Sequence, residues 1–360
     1  MKRNKLLNIA AAAAVAGVLA IASLGNALAA DKPLEGVNLR VGTWGGSWVK
    51  VHQKYLQPQM EALGATVTYV KASPQLNMAK LIAARGSDTP IDVMEVSADI
   101  VPEMRMAGFL QPIDYSLLPN IKNTSKGLHT GDLVATWVTQ EGICYNDVKL
   151  KELGIPAPTK YADLGHPKLE GRIQIPDIVS GGGRPAVAGF AYSYGGNMKN
   201  VSPGIKAIAN LKALKFWKRG AEVLTQIKSG DIYAAVIHAG WCVRAANAGL
   251  TVAMAHPIID AESTGIVKQG WMGVIKGTKN AKAAHTYLNL FISAAFMEPL
   301  AISRGVVPEN LNALKNLTSD PTLKKMMILD PAMIAKMLRP NFGEADMSVW
   351  HDEWNRSVSR

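Results

Sequence analysis

The stretch Thr43 to Trp48, TWGGSW, places two tryptophans around a glycine pair directly after the apolar run NLRVG. Glycines at a strand-to-helix turn let the backbone approach a ligand and leave amides at the helix start free to face it. Aromatic faces cover apolar ligand groups and attract cations. We expect Gly45 and Gly46 to give backbone access to a cleft with Trp44 as its wall, and Trp48 to pack internally. The alternative is a tight turn with both tryptophans in the core.

A second candidate stretch, IPDIVSGGGRP, combines glycines with an arginine. The backbone amides around Gly183, the guanidinium of Arg184 and a helix start at Pro185 together suit a carboxylate or phosphate. The alternative is a flexible loop with Arg184 facing solvent. Asp177 could accept a hydrogen bond from a ligand, or it could cap a turn. Arg244 is a second candidate cation, with structural pairing as its alternative.

Motifs for catalysis or metal binding do not stand out. The chain has serines and histidines but no G-x-S-x-G elbow, and no motif places a base beside a nucleophile. No His, Cys, Asp and Glu cluster has metal-ligand spacing. We predict no catalytic residue, no metal and no cofactor. A periplasmic enzyme remains the alternative of a different class, with His238 as a residue that could reach a cleft or serve as a core or hinge residue.

Apolar strands alternate with helical patterns along the chain. NLRVGT, ATVTYV and IDVMEV read as strands separated by helices, the first of which follows Trp48. A second run follows with GRIQIP, helices across 205–228, IYAAVI and TVAMAHP. Such alternation predicts two α/β units, each with a parallel sheet covered by helices on both faces. The end of the chain reads as short helices, with Trp350 and Trp354 forming an anchoring stripe.

The chain begins with a basic segment, MKRNKLL, followed by an alanine-rich apolar run and the small residues Ala27 to Ala29. This pattern is typical of a secretory signal peptide covering residues 1–29, and it predicts a periplasmic protein. An uncleaved transmembrane anchor is the alternative. In an exported protein Cys144 and Cys242 could form a disulfide or stay as two separate thiols.

Net charge narrows the class of partner, and length indicates the number of domains. Without Lys2, Arg3 and Lys5 of the leader, the chain carries 36 basic and 28 acidic residues, a formal charge of +8. The basic residues are scattered along helices, so we expect no nucleic-acid partner. About 330 mature residues fit roughly two domains.

Four segments, in order, carry a family resemblance: YNDVKLKELGIPAPTKYADLGHPKLEGRIQIPD, SGDIYAAVIHAGWCVRAANAG, QGWMGVIKGTKNAKAAHTYLNLF and GVVPEN. They resemble the extracellular solute-binding proteins of ABC importers, in the spermidine/putrescine-binding branch. The resemblance implies a type II periplasmic binding fold, in which two α/β lobes joined by two hinge crossings close on one small molecule. It also implies a monomer that docks on an inner-membrane permease, although a receptor partner stays an alternative.

The domain limits follow from that resemblance. We place lobe 1 at residues 30–138 and 268–318, lobe 2 at residues 139–267, and a helical tail that packs on the lobes at residues 319–360. The crossings are expected near residues 136–144 and 264–270.

The resemblance also places Trp44, Ser97, Trp241 and Trp271 in the cleft, where polyamine binders hold the aliphatic chain and its amines. Two acidic positions of such binders are absent. The expected W-M-D is Trp271-Met272-Gly273, and Gly46 stands where an acid follows the first tryptophan.

Burying an ammonium group without a partner costs several kcal/mol. Asp99, near Ser97, could take one amine or hydroxyl. We therefore predict a ligand with a carboxylate or other anionic end, such as an amino acid or a small organic acid. A polyamine is the alternative.

Overall fold

The computed structural model describes residues 32–125 and 127–358. The predicted signal peptide, residues 1–29, lies outside these ranges. Among the described residues, no helix is both long enough and apolar enough to cross a membrane.

Ten strands form one mixed sheet in the described ranges. Their bounds are β1 (Asn38–Thr43), β2 (Thr66–Lys71), β3 (Val93–Ser97), β4 (Val134–Tyr145), β5 (Ile173–Pro176), β6 (Lys215–Trp217), β7 (Ala234–His238), β8 (Ala253–Ala255), β9 (Ile266–Val274) and β10 (Val307–Pro308). The order across the sheet is β2-β1-β3-β9-β4-β7-β5-β6, and β8 and β10 both pair with β4.

The strand directions correct one sequence expectation. β1 runs parallel to β2 and β3, and β5 runs parallel to β6 and β7, as predicted for the two units. The centre of the sheet is antiparallel, because β9 pairs in that sense with β3 and β4, and β4 pairs so with β7. The all-parallel prediction was therefore right for the outer strands and wrong for the middle.

Fifteen α-helices surround the sheet in these ranges. They are α1 (Ser47–Tyr55), α2 (Gln57–Ala62), α3 (Pro74–Ala83), α4 (Val101–Met106), α5 (Asp147–Glu152), α6 (Gly183–Ser193), α7 (Ser202–Asn210), α8 (Gly220–Ser229), α9 (Ala239–Asn247), α10 (Ala281–Phe291), α11 (Ala294–Arg304), α12 (Leu311–Leu317), α13 (Pro321–Met326), α14 (Pro331–Ala335) and α15 (Met347–Ser357). Short 3-10 helices lie at Ala98–Ile100, Tyr115–Leu117, Pro119–Asn123, Tyr161–Gly165, Pro167–Leu169 and Phe342–Glu344.

Two predicted helical stretches are interrupted. The stretch after Trp48 breaks at Leu56, where Pro58 opens α2 instead of continuing α1. The region 205–228, expected to be helical, contains β6, which pairs with β5. Tertiary pairing in the sheet outweighs the helical pattern of this segment.

Strands β4 and β9 link the two halves of the sheet. Residues 134–141 of β4 pair with β9, and residues 141–145 pair with β7 on the other side. These two strands coincide with the expected crossings. The lobe boundaries themselves remain a prediction.

The segment from α9 to the tail is tied down by specific contacts. Cys144 on β4 and Cys242 on α9 form a disulfide with a Cα–Cα distance of 5.7 Å, which settles the alternative left open by the sequence. In the tail, Trp350 and Trp354 are buried, and the indole N–H of Trp350 donates to the carbonyl of Met198 at 3.1 Å.

Candidate functional site

Three tryptophans meet at the carboxyl end of β1. The ring centroid of Trp44 lies 5.3 Å from that of Trp48 and 5.6 Å from that of Trp137, and Trp48 lies 5.3 Å from Trp137. Gly46 has φ +62° and directly precedes α1, so the glycine pair makes the turn between Trp44 and Trp48. Trp137 is buried, whereas Trp44 and Trp48 are half-buried. We call these three residues the tryptophan cluster; its exposed surface suits an apolar ligand group.

A buried carboxylate lies under the tryptophan cluster. Glu95, in the middle of β3, accepts hydrogen bonds from Thr43, from Trp48 Nε1 at 3.0 Å and from Trp137 Nε1 at 3.3 Å. Burial raises the pKa of Glu95 to about 7, although these hydrogen bonds oppose the rise. Because Glu95 is buried and both carboxylate oxygens accept from protein donors, it orients the two indoles.

His52 completes the polar group beneath the cluster. Its Nδ1 lies 2.7 Å from the hydroxyl of Tyr287, and its Nε2 lies 3.3 Å from Glu95 Oε1 without hydrogen-bond geometry. Burial lowers the pKa of His52 to about 3, so the imidazole is neutral at neutral pH. His52 therefore gives Glu95 no compensating positive charge.

Arg184 connects the start of α6 to the segment after β3. Its Nη1 donates to the carbonyl oxygen of Asp99 at 2.9 Å and to Glu103 Oε1 at 3.2 Å. Asp99 Oδ2 accepts from Gln75 at 3.0 Å and lies 4.0 Å from Arg184 Nη1. From the sequence we expected either a guanidinium available to a ligand or one facing solvent. Here it is engaged by acidic neighbours, and a role in anion binding would require this contact to open.

The glycine loop before α6 is packed and not free. The carbonyl of Gly181 accepts from Lys268 Nζ at 2.5 Å. A Cβ at Gly183 would overlap the carbonyl oxygen of Asp177. The Asp177 carboxylate accepts from the amide of Val179 at 3.0 Å, which is the turn-capping alternative considered for it. Asp177 and the glycine loop thus make contacts within the protein that hold the turn before α6 in place.

Trp241 and Arg244 stack on each other in α9. The guanidinium carbon of Arg244 lies 3.6 Å from the centroid of the half-buried Trp241 ring, and Arg244 Nε donates to the Gly240 carbonyl at 2.8 Å. Burial and, to a smaller extent, the nearby charge of Arg304 together lower the pKa of Arg244 to about 9. Within the described residues Arg244 forms no ion pair with a carboxylate. It is a protonated cation at neutral pH without an anionic partner.

Ser97 and Trp271 lie on neighbouring strands at the same edge. In the antiparallel register Ser97 faces Gly270 and Trp271 faces Val96, while Met272 faces Glu95. Trp271 therefore projects from the opposite face of the sheet to Glu95, and it packs against a separate apolar cluster. The structure does not bring its ring against the tryptophan cluster.

The missing acid after Met272 has a steric reason. A Cβ at Gly273 would come within 2.7 Å of Leu133 and 2.8 Å of Leu110 side-chain atoms. An aspartate there would require both leucine side chains to shift. Gly46, by contrast, faces open space, and its positive φ is what favours glycine there.

Three residues of the candidate site were not predicted from the sequence, namely Glu95, Trp137 and Arg304. Glu95 had a local signal, because an acid in the middle of the buried strand VMEVS needs partners. Trp137 and Arg304 had none, since their neighbours come from distant segments. His238 bonds to Glu141 across β7 and β4, which is the hinge or core role considered for it.

Comparison with known proteins gives a family and a fold. The family model described as bacterial extracellular solute-binding protein matches residues 54–325. No curated protein matches the chain in sequence.

Solved structures with this fold cover nearly the whole chain. MotA from A. tumefaciens B6, in complex with glucopine, is 20% identical with a TM-score of 0.71 over 89% of this chain and 99% of its own. PotD of Streptococcus pneumoniae, a spermidine/putrescine ABC transporter substrate-binding protein, is 17% identical with a TM-score of 0.70 over 89% and 97%. The Atu4243-GABA receptor is 18% identical with a TM-score of 0.68, over 89% of this chain and 96% of its own. The chain therefore has the two-lobed α/β fold of periplasmic binding proteins.

Proposed function

The chain belongs to the family of bacterial extracellular solute-binding proteins, and from that premise we propose that it closes its two lobes on one small organic solute with an anionic end. The members of this family bind solutes for transport and are not enzymes. In our proposal the protein works in the periplasm and presents its closed form to the permease of an ABC importer. Ligand contacts to both lobes stabilise the closed form relative to the open one.

The observation that carries the anionic preference is Arg244. This guanidinium stacks on Trp241 at the start of α9 and has no carboxylate partner in the described residues. Guanidinium groups match carboxylates and phosphates with two parallel hydrogen bonds. A ligand carboxylate beside Arg244, with its apolar part against Trp44 or Trp241, would satisfy both features.

The nearby acids support the same preference, because protein groups already engage them. Glu95 accepts from indoles, Glu103 from Arg184, and Asp177 from a backbone amide. A ligand ammonium at any of these three acids would have to displace the contact already made there. The similar structures named above carry ligands of different kinds, so they fix the fold and leave the ligand charge to the site itself.

A polyamine is the second candidate, and one observation favours it. Asp99 Oδ1 is buried and has no hydrogen-bond partner among the described residues. One ammonium could bind there. A dication such as putrescine would need a second acceptor at its other end, and the tryptophans provide only cation–π attraction of about 0.5–2 kcal/mol.

A thermal-shift screen of residues 30–360 tests the proposal. Butyrate, γ-aminobutyrate, succinate, putrescine and spermidine are the probes, since a ligand that binds only the folded state raises the melting temperature. We expect the carboxylates to raise it and the polyamines to leave it unchanged. Arg244→Gln should abolish the carboxylate shift.

Arg356→Gln is the matched control, because it removes the same charge from an exposed side chain of α15. It should leave the carboxylate shift intact. A shift with putrescine or spermidine alone would reject the anionic ligand and favour the polyamine.

A further inference from the structure

Helices α9 and α11 meet through their backbones. A Cβ at Gly240 would overlap the carbonyl oxygen of Arg304 and come within 2.8 Å of the Gly305 carbonyl. Gly305 ends α11 with φ +63°, a conformation that favours glycine. Two glycines thus allow a contact that side chains would prevent. The contact brings Arg304 close to Arg244, which lies one turn after Gly240 on the same face of α9.

The two arginines form a pair of like charges. Arg304 Nε and Nη1 are shielded from solvent and have no hydrogen-bond acceptor in the described ranges. Burial lowers the pKa of Arg304, and burial together with the charge of Arg304 lowers the pKa of Arg244. By contrast, Arg40 and Arg105 each pair with an aspartate at 2.7 Å.

Such a pair is unfavourable without a counter-charge. Each buried guanidinium loses hydration, and a charged N–H group that is buried without an acceptor is more unfavourable than a neutral one. Their mutual repulsion adds to that cost. One carboxylate carries a single negative charge and can neutralise only one of the two guanidinium groups.

We propose that Arg244 and Arg304 together form a binding site for a dianionic group, either a dicarboxylate or a phosphate-type group, at the junction of α9 and α11. The inference rests on the proposed function and narrows its ligand class. It also links binding to closure, because α9 and α11 belong to segments expected in opposite lobes. A dianion held by both guanidinium groups would stabilise their contact.

The test is isothermal titration calorimetry, in which the mature chain is titrated with succinate, inorganic phosphate, butyrate and putrescine at low ionic strength. We expect succinate or phosphate to bind at least tenfold more tightly than butyrate. Arg304→Gln should weaken the dianion at least tenfold and reduce its advantage over butyrate. Arg304→Lys keeps the charge and should retain most of the affinity. Arg356→Gln should behave like the wild type.

The outcomes separate this inference from the proposed function. If succinate, phosphate and butyrate bind equally and Arg304→Gln changes nothing, the dianion site is rejected while the anionic ligand survives. If only putrescine binds, or no anion binds, both are rejected. If phosphate binds and succinate does not, the site takes a phosphate-type group; the reverse result identifies a dicarboxylate.

Discussion

Trp48 donates its indole N–H to Glu95 across 3.0 Å, so the carboxylate lies beneath the tryptophan cluster. Trp137 donates to the other oxygen at 3.3 Å. Hydrogen bonds to a buried carboxylate are strong and directional, and they fix the orientation of both indoles. The carboxyl group of Glu95 therefore holds the tryptophan cluster, and an acid at this position does not by itself indicate a cationic ligand.

Replacing Glu95 with glutamine should change how stability depends on pH. The folded-state pKa of Glu95, about 7, is above its ordinary value of 4.5. A raised carboxyl pKa contributes stability that is fully present below about pH 4.5 and is lost as the pH rises through 7. The free energy of unfolding of the wild type minus that of Glu95→Gln should therefore fall by about 3 kcal/mol between pH 4.5 and 7.5. Urea unfolding at several pH values measures this difference.

The difference between variants is needed because His52 acts in the opposite sense. Its pKa is lowered to about 3, so its contribution is present above pH 6.5 and is lost as the pH falls. Glu262→Gln, on an exposed loop, is the control and should give a difference that does not vary with pH. An equally flat difference for Glu95→Gln would contradict the pKa assigned to the buried carboxyl.

Much of the fold could be predicted because it depends on local periodicity. The strands NLRVGT and IYAAVI and the helix after Arg184 follow from their apolar spacing, and the two crossings follow from the family segments. The antiparallel centre of the sheet could not be predicted in the same way. The direction of β9 depends on where the chain returns after the second half of the sheet, which no local pattern records.

The candidate site was predicted less completely. Trp44 directly follows β1 and Trp241 lies in the first turn of α9, two positions that their sequence motifs single out. The partners of Arg184 are contributed by the segment after β3, far away in sequence, and Arg304 meets Arg244 through a contact between two helices. Charge pairing of this kind is a tertiary property, and an arginine in a motif cannot show whether a carboxylate lies beside it.

The ion pair between Arg184 and Glu103 should favour the closed arrangement of the two lobes. It joins α6 to α4 at 3.2 Å, with 14% and 31% of the two side chains exposed. A double-mutant cycle with Arg184→Gln and Glu103→Gln should give a coupling of about 1 kcal/mol in the free energy of unfolding. Small-angle scattering should also show a larger radius of gyration for Arg184→Gln.

Arg105 and Asp132 provide the matched control. Their ion pair at 2.7 Å joins two segments that are both expected in lobe 1. Arg105→Gln should give a similar coupling with Asp132→Asn but leave the radius of gyration unchanged. Equal radii for the Arg184 and Arg105 variants would rule out a role of Arg184 in closure.

The disulfide should contribute substantially to stability. It joins Cys144 and Cys242, 98 residues apart, and ties α9 to β4. Closing a loop of this size restricts the unfolded chain, and its removal costs about 2–5 kcal/mol. Urea unfolding with and without dithiothreitol should show that loss for the wild type, whereas a Cys144→Ala, Cys242→Ala double variant should be equally unstable in both conditions. A wild-type curve that does not respond to complete reduction would show that the bond adds nothing.

Gly220 should not tolerate even one extra methyl group, because the indole ring of Trp241 lies against it. It begins α8, and a Cβ there would overlap the indole ring of Trp241. Gly220 does not have a positive φ, so alanine suits its backbone, and the cost of Gly220→Ala reports the overlap alone. We expect a loss of about 1–3 kcal/mol in the free energy of unfolding, with weaker binding of the carboxylate probes as Trp241 and the stacked Arg244 move.

Gly131→Ala is the control, since Gly131 also lacks a positive φ and has no atom within 4 Å of a Cβ. It should change stability by less than about 0.5 kcal/mol. If the two variants lose equal stability, Trp241 is free to move aside, and a rigid aromatic wall on α9 is no longer tenable.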